Sequence, residues 1–258
     1  MGLLTSLLIL PGLLISLDAS IITDGDPAKP HILIYTKNGE GFVHKNISNS
    51  VIALKKLLDA NGMSYEASDD PALFTKENLQ KYDLLIFSNT NNEAFDTDMQ
   101  RQAFQEYIQN GGGFVGIHSA SGSERNWPWF WAMLGGKFLR HSKFQTFNIV
   151  KIDPDHPSAT PVPEYWERSD ESYYLTELNP DIHIILATDL TSIDDDKAHQ
   201  EYPANTFGKY FPVTWCHSFD GGHQWYTSLG HNPEHYDDPV FMNHILGGIQ
   251  WVLEARSN

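Results

Sequence analysis

Between residues 31 and 117 the chain alternates short apolar runs with helical stretches, and few folds accommodate that order. His31–Thr36, Asp83–Ser88 and Phe114–Ile117 are short and almost wholly apolar, so they read as buried strands, with Ser64–Ser68 a weaker fourth. Val51, Leu54, Leu57 and Leu58 put an apolar stripe on a helix over 47–61, which Gly62 can end in the left-handed conformation. Thr75 can cap a short helix over 76–81, and Thr97 with Gln100 has the spacing of a capping box for a helix reaching Asn110. Such alternation predicts an α/β fold, a mostly parallel sheet with helices on both faces. Ligands then bind beyond the carboxyl ends of the strands, which singles out segments 37–45, 89–96 and 118–127.

The second half reads differently. Segments 147–152, 183–188, 212–218 and 224–228 look like strands with few helices between them, extending the sheet or forming an antiparallel edge. Asp238 and Pro239 open a last helix over 239–254 whose positions 241, 245, 248, 249 and 252 face inward. At the other end, Leu3–Leu17 is apolar but broken, and short of the ~20 residues that span a bilayer. It reads as a secretory leader with a cleavage site at Leu17-Asp18-Ala19, which implies a secreted or periplasmic protein. A mis-assigned start is the alternative and implies the cytoplasm. We therefore expect a leader and linker over 1–27 and one domain over 28–258.

Charge narrows the partners. With 33 acidic and 17 basic residues the net charge is −16, and no basic run interrupts it, so neither nucleic acid nor a membrane surface is an expected partner of the mature chain. A single cysteine, Cys216, excludes an intramolecular disulfide and a cysteine-rich zinc site. The 12 His, 7 Trp and 11 Tyr suit a sugar- or metal-handling cleft, although an aromatic core would account for them as well.

Five groups could carry chemistry. Gly111-Gly-Gly-Phe-Val-Gly-Ile-His118-Ser-Ala runs a buried strand into a tight turn at an imidazole, which can act as acid, base or metal ligand. A hydrogen-bonded structural histidine is the plainer alternative. His44 lies in the loop after the first strand, near the same edge of the sheet. Trp127, Trp129 and Trp131 could wall a cleft or pack a helix, and His141 and Gln145 follow them. Asp170 and Glu171, flanked by Trp166 and Tyr173, are paired carboxylates of the kind whose burial raises one pKa, or else solvated acids. His231 ends a strand after Gly230, whereas His217 and His244 fall among core-type residues and read as structural. No cofactor is expected. The alternative is a divalent metal such as zinc where His44, His118, His141 and His231 converge, although no His-Glu-x-x-His spacing supports it.

Taken together, Gly41-Phe-x-His44, Gly112-Gly-Phe-Val-Gly-Ile-His118, Trp127-Pro-Trp129, Gly135-Gly-x-Phe138, Asp170-Glu171-x-Tyr173, Pro212-Val-x-Trp-x-His217, Trp225-Tyr-Thr-x-Leu-Gly-His231 and the ending through Trp251 resemble the ThuA-like family, named for trehalose utilisation. The resemblance covers residues 31–254. It implies a flavodoxin-like, class I glutamine-amidotransferase-like three-layer sandwich. It does not imply glutaminase activity, because the elbow that carries a cysteine in amidotransferases carries His118 here. Two positions depart from the family pattern: Val43 stands where an arginine is usual, and Ser142 where a proline is usual.

The resemblance implies a sugar substrate, and we expect cleavage or rearrangement of an oxidised disaccharide, a 3-keto-glycoside. In that scheme His118 is the base, Glu171 the acid, and His231 or His44 polarises the ketone. His44, Trp127, His141, Gln145, Asp170 and Tyr173 bind substrate. A non-catalytic sugar-binding or sensing module and a metal-assisted hydrolase are the alternatives on the same fold, and a homo-oligomer is allowed.

Overall fold

The computed structural model describes residues 1–2, 29–196 and 209–256. The expected leader falls almost entirely outside the described residues. The first half contains β1 (His31–Tyr35), α1 (Ile47–Ala60), β2 (Ser64–Ser68), α2 (Lys76–Leu79), β3 (Leu84–Ser88), α3 (Asp98–Gln109) and β4 (Gly113–Ile117). Then come α4 (Pro128–Leu134), β5 (Lys137–His141), β6 (Gln145–Lys151), β7 (Tyr165–Asp170), β8 (Tyr173–Thr176) and β9 (His183–Asp189). Strands β10 (Tyr210–Phe219) and β11 (Gly222–Thr227) and helix α5 (Pro239–Arg256) complete the chain. Among the described residues, nine strands form one sheet in the order β2-β1-β3-β4-β11-β10-β9-β6-β7, and β5 pairs with β8 in a separate ribbon. The sheet is parallel from β2 through β11 and antiparallel beyond.

Local chemistry accounts for the parallel half. All of β3 and β4 and nearly all of β1 are buried, as their unbroken apolar runs require. Thr97 and Gln100 form the expected capping box at the start of α3, and Gly62 closes the turn after α1 at φ 70°. Asp238 caps α5, its carboxylate accepting the Val240 N–H at 2.9 Å.

Register shows the layering. Trp225 of β11 lies beside Val115 of β4, so the two share a face, and Gly248 of α5 packs directly on the Trp225 indole, where a Cβ would stand 2.4 Å from the ring. Phe114 points to the opposite face and meets Phe104 of α3 and Phe130 of α4. The result is a three-layer α/β sandwich. Among the described residues no helix is long and apolar enough to cross a membrane.

Three strands do not show in the hydrophobic pattern: β5, β7 and β8. In β7 the alternation is perfect, but its inward residues are Trp166, Arg168 and Asp170. Charged side chains occupy the buried phase because they pair with each other, Arg168 Nε to Asp170 Oδ2 at 3.1 Å. The Arg168 guanidinium is also sandwiched between the rings of Trp166 and Phe241, and it reaches Asp238 at the start of α5 at 3.2 Å. The antiparallel half thus curls back onto the α5 side of the sheet.

The core holds neutral histidines. His244 is fully buried, its Nδ1 donating to the Ser158 carbonyl at 2.6 Å, and burial pushes its pKa down to about 3. Burial likewise lowers His156 to about 4. In the unfolded chain both take up a proton near the ordinary value of 6.5. Their contribution to stability is therefore complete above about 6.5 and is lost as the pH falls toward the folded values, with a slope of up to ~1.4 kcal/mol per pH unit per histidine. Urea titrations between pH 6 and 4 should give a shallower stability–pH slope for His244→Gln than for wild type, whatever the variant's absolute stability. An unchanged slope would show that His244 already carries its proton in the fold.

Candidate functional site

Three parallel strand ends and one returning edge strand deliver the site. The loop after β1 carries His44, the turn after β4 begins at His118, and the loop after β11 reaches His231. Four successive antiparallel pairings leave β7 running in the same direction as β4, so its last residue, Asp170, comes to the same edge. Glu171 follows in the turn to β8.

The Asp170 carboxylate, with no exposure, fastens these pieces together. Its Oδ1 accepts the backbone N–H of Glu171 at 2.9 Å and of His231 at 3.2 Å, and its Oδ2 accepts the N–H of Gly230 at 2.9 Å. A second tie comes from Asn46, whose side-chain amide donates to the carbonyls of Gly230 at 2.6 Å and His231 at 2.9 Å. The loops that follow β1, β7 and β11 are therefore held to one another by two buried side chains that hydrogen-bond to their main chains.

Four side chains converge beneath this frame. His118 sits at φ 52°, with its Nδ1 donating to the Ser228 carbonyl at 2.7 Å. Its Nε2 is thereby the lone-pair nitrogen of the neutral ring, and it meets the Tyr173 hydroxyl at 2.8 Å, His44 Nε2 at 3.1 Å and His231 Nδ1 at 3.4 Å. Glu171 lies between two imidazoles, Oε2 at 3.1 Å from His231 Nδ1 and Oε1 at 3.4 Å from His141 Nδ1. Ligand atoms of His44, His118, Glu171 and His231 all lie within 4.8 Å of one another, the only such grouping among the described residues, and could hold a metal ion.

Electrostatics separates the floor from the wall. Burial and the neighbouring His44 hold His118 well below the ordinary histidine value, and burial with His231 nearby pushes His44 down to about 4. Burial would lower His231 too, but the hydrogen bond and charge of Glu171 outweigh it and raise the pKa. Burial, then the Glu171 charge, keeps the Tyr173 hydroxyl protonated.

Above the floor opens a cavity of about 360 Å³. Of the residues expected from sequence, His44, His141, Glu171, Tyr173 and His231 line it. His118 does not line it: the ring is wholly buried under the other imidazoles and has no open face toward a substrate. Trp127 faces elsewhere, packed among Phe95, Phe104 and Trp129. Gln145 is tied on the sheet edge to the Lys143 and Asp194 main chain, and Asp170 spends its lone pairs on the frame. These three belong to the scaffold rather than the cavity wall. Cys216 is buried in β10, where burial pushes its thiol up to about 12, so a thiolate nucleophile has no place here.

The cavity also contains residues that the sequence reading did not assign to the site, two of them, Phe42 and Phe138, inside its motifs. Arg125 lies over the Phe138 ring, 5.5 Å from its centroid, and donates to Asn91 Oδ1 at 3.1 Å, while Phe42 sits edge-on to His44. Asn91 and Arg125 do fall in the segments marked by the strand-end rule. The aromatic wall is Phe42, Phe138 and Tyr173 rather than tryptophan.

Comparison with known proteins agrees with this architecture. A family model described as ThuA, trehalose utilisation, matches residues 31–252. A ThuA-like protein from Bacteroides uniformis superposes with TM-score 0.69 at 24% identity, covering 89% of this chain and 94% of that one. One from Parabacteroides merdae gives TM-score 0.67 at 18% identity over 88% and 91% of the two chains. A cytoplasmic protein from Salmonella typhimurium gives 0.57 at 13% identity over 87% and 98%. At these identities the likeness is one of fold. No curated protein matches the chain in sequence.

If the Asp170 carboxylate holds the frame, Asp170→Asn replaces one acceptor oxygen by a donor that faces other donors, and takes from the buried Arg168 one of its two carboxylate partners, leaving Asp238. The expected loss is ~3–5 kcal/mol of unfolding free energy, read by urea denaturation. A loss below ~0.5 kcal/mol, the range of ordinary surface substitutions, would remove Asp170 from that role.

Proposed function

This chain belongs to the ThuA family of trehalose-utilisation proteins, and from that premise we propose that its cavity is the active site of an enzyme that opens an oxidised disaccharide, a 3-keto-glycoside, by proton transfer. The observation that carries the reading is one carboxylate, Glu171, set between two imidazoles on the wall of a cavity sized for a sugar.

A ketone at C3 acidifies the hydrogen on C2. Removing that proton forms an enolate, and its electron pair then forms the C1–C2 double bond as the C1–O glycosidic bond breaks. The departing oxygen takes a proton and leaves as an alcohol. Both transfers suit His141. Its Nδ1 donates to the Ser142 carbonyl at 2.7 Å and is backed by Glu171, which leaves Nε2 as the free base nitrogen at the cavity. Having taken the C2 proton, the same ring can return it to the leaving oxygen.

The floor imidazoles of His44 and His231 face the place of the ketone oxygen, where polarisation stabilises the enolate. Phe138 and Phe42 offer apolar faces to a sugar ring, and Arg125 and Asn91 offer donors to its hydroxyls. Relative to the expectation from sequence, we place the base at His141 rather than His118, because His118 is wholly buried while His141 is exposed at the cavity with its Nδ1 engaged by Ser142 and Glu171.

With 3-keto-trehalose as substrate and release of free sugar as the readout, His141→Ala should lower kcat by ~10²–10⁴-fold with KM changed far less. Tight binding of keto-sugars by wild type with no product formed would favour a sensing module instead. Full activity in His141→Ala would remove that residue from proton transfer.

A further inference from the structure

The four floor residues bring their ligand atoms within 4.8 Å of one another, and the successive separations are close to those around a metal ion as well as to hydrogen-bond lengths. Around a tetrahedral zinc with ligands at ~2.0–2.1 Å, neighbouring ligand atoms stand ~3.3–3.4 Å apart. Along the chain His44 Nε2, His118 Nε2, His231 Nδ1, Glu171 Oε2, the successive separations are 3.1, 3.4 and 3.1 Å.

Hydrogen bonding alone leaves the cluster unresolved. The ring of His118 has one lone pair at Nε2, and both the Tyr173 hydroxyl and His44 Nε2 aim at it. His44 is buried, and its Nδ1 has no partner among the described residues in either tautomer. If the His44 proton is on Nδ1, two lone pairs confront each other across 3.1 Å with nothing between them. A cation between them turns that repulsion into ligation.

The surroundings are those of a metal ligand set. The hydrogen bond from His118 Nδ1 to the Ser228 carbonyl fixes the tautomer and the ring plane, the usual arrangement behind a ligating histidine. Glu171 supplies negative charge through one oxygen while its other oxygen faces His141. Three nitrogens and one carboxylate oxygen suit a first-row ion of the zinc class, whereas calcium and magnesium take oxygen ligands. Asp170 and Asn46 tie together the loops that bear three of the four residues, so the set is built before any ion arrives.

We propose that His44, His118, His231 and Glu171 form a binding site for one divalent transition-metal ion at the floor of the cavity. The site rests on this geometry alone. The role given to the ion, polarising the ketone oxygen as a Lewis acid, rests on the keto-glycoside reading above. His141 remains outside the ligand set and free to move protons.

Untagged protein, stripped with a chelator and titrated with Co²⁺ in the absence of sugar, should bind one equivalent and develop the visible absorption of a four-coordinate cobalt site. Zn²⁺ should displace it. His44→Ala and His118→Ala should each abolish the band and weaken binding by more than the ~10–100-fold that outer-shell changes cost, while His141→Ala keeps both. Should His118→Ala fail to fold, Glu171→Gln at the cavity surface carries the same test. No uptake by wild type at micromolar metal overturns the site, and so does equal uptake by wild type and the ligand variants. One bound ion without keto-glycoside turnover leaves the site standing and overturns the reading of the reaction. Turnover undiminished in stripped protein overturns the polarising role.

Discussion

Everything at this site hangs on one buried carboxylate. Asp170 accepts N–H groups from Glu171, Gly230 and His231 and pairs with Arg168. It joins the curled antiparallel half of the sheet to the strand ends of the parallel half at the level of the cavity, alongside the Glu171–His231 and Tyr173–His118 contacts. Burying a charge of this kind is unfavourable unless every lone pair finds a donor, and here main-chain amides and a guanidinium supply them. The benefit is positional. One rigid group sets the spacing between Glu171 and His231, and the side chains of those two residues meet at 3.1 Å as a consequence.

Around that anchor the site divides its work by depth. The lowest layer is neutral and closed: His118 is sealed from solvent, and His44 is nearly so. The next layer is Glu171 with His231, whose pKa the hydrogen bond and charge of Glu171 raise. The outermost, His141 with Arg125 and Phe138, meets the solvent and whatever enters. In the proposed reaction, low dielectric strengthens any field the lower layers exert on the substrate carbonyl, while the exposed imidazole of His141 stays open to solvent. A single layer could not do both, since the burial that strengthens the field would suppress protonation of the base.

Much of this was legible in the chain before the coordinates. The parallel half follows from apolar runs, a capping box and well-placed glycines, and the carboxyl-edge rule brought His44, His118 and His231 to one place. The edge strand β7 was not legible, because a pattern scan looks for apolar residues in the inward phase and finds Arg168 and Asp170. The same blindness left two adjacent carboxylates indistinguishable. Neighbours at a strand end point to opposite sides, and only the docking of β7 against the loop after β11 turns Asp170 into the frame and Glu171 into the cavity. Tryptophan misled for a different reason. An indole at a helix start serves a cleft or a core equally well, and α3 supplied the aromatic surface that drew Trp127 inward. Arg125 has no periodicity to betray it; its role depends on Phe138, a residue of β5 that the pattern did not assign to a strand.

The corner at His118 shows why floor and fold cannot be separated. A non-glycine residue at positive φ costs ~1–3 kcal/mol, and such strain persists only where the surroundings over-determine it. Here both ends of the residue are anchored on β11 and its continuation. The Tyr226 hydroxyl donates to the His118 carbonyl at 2.8 Å, and the ring donates to the Ser228 carbonyl. Gly116 makes the first contact possible, since a Cβ there would come within 2.9 Å of the Tyr226 ring. Relaxing the backbone to an ordinary extended conformation would therefore break both anchors and swing the imidazole away from His44 and His231. The glycine in β4, the tyrosine in β11 and the strained histidine between them form one device, whose product is a lone pair held beneath the cavity at a fixed height.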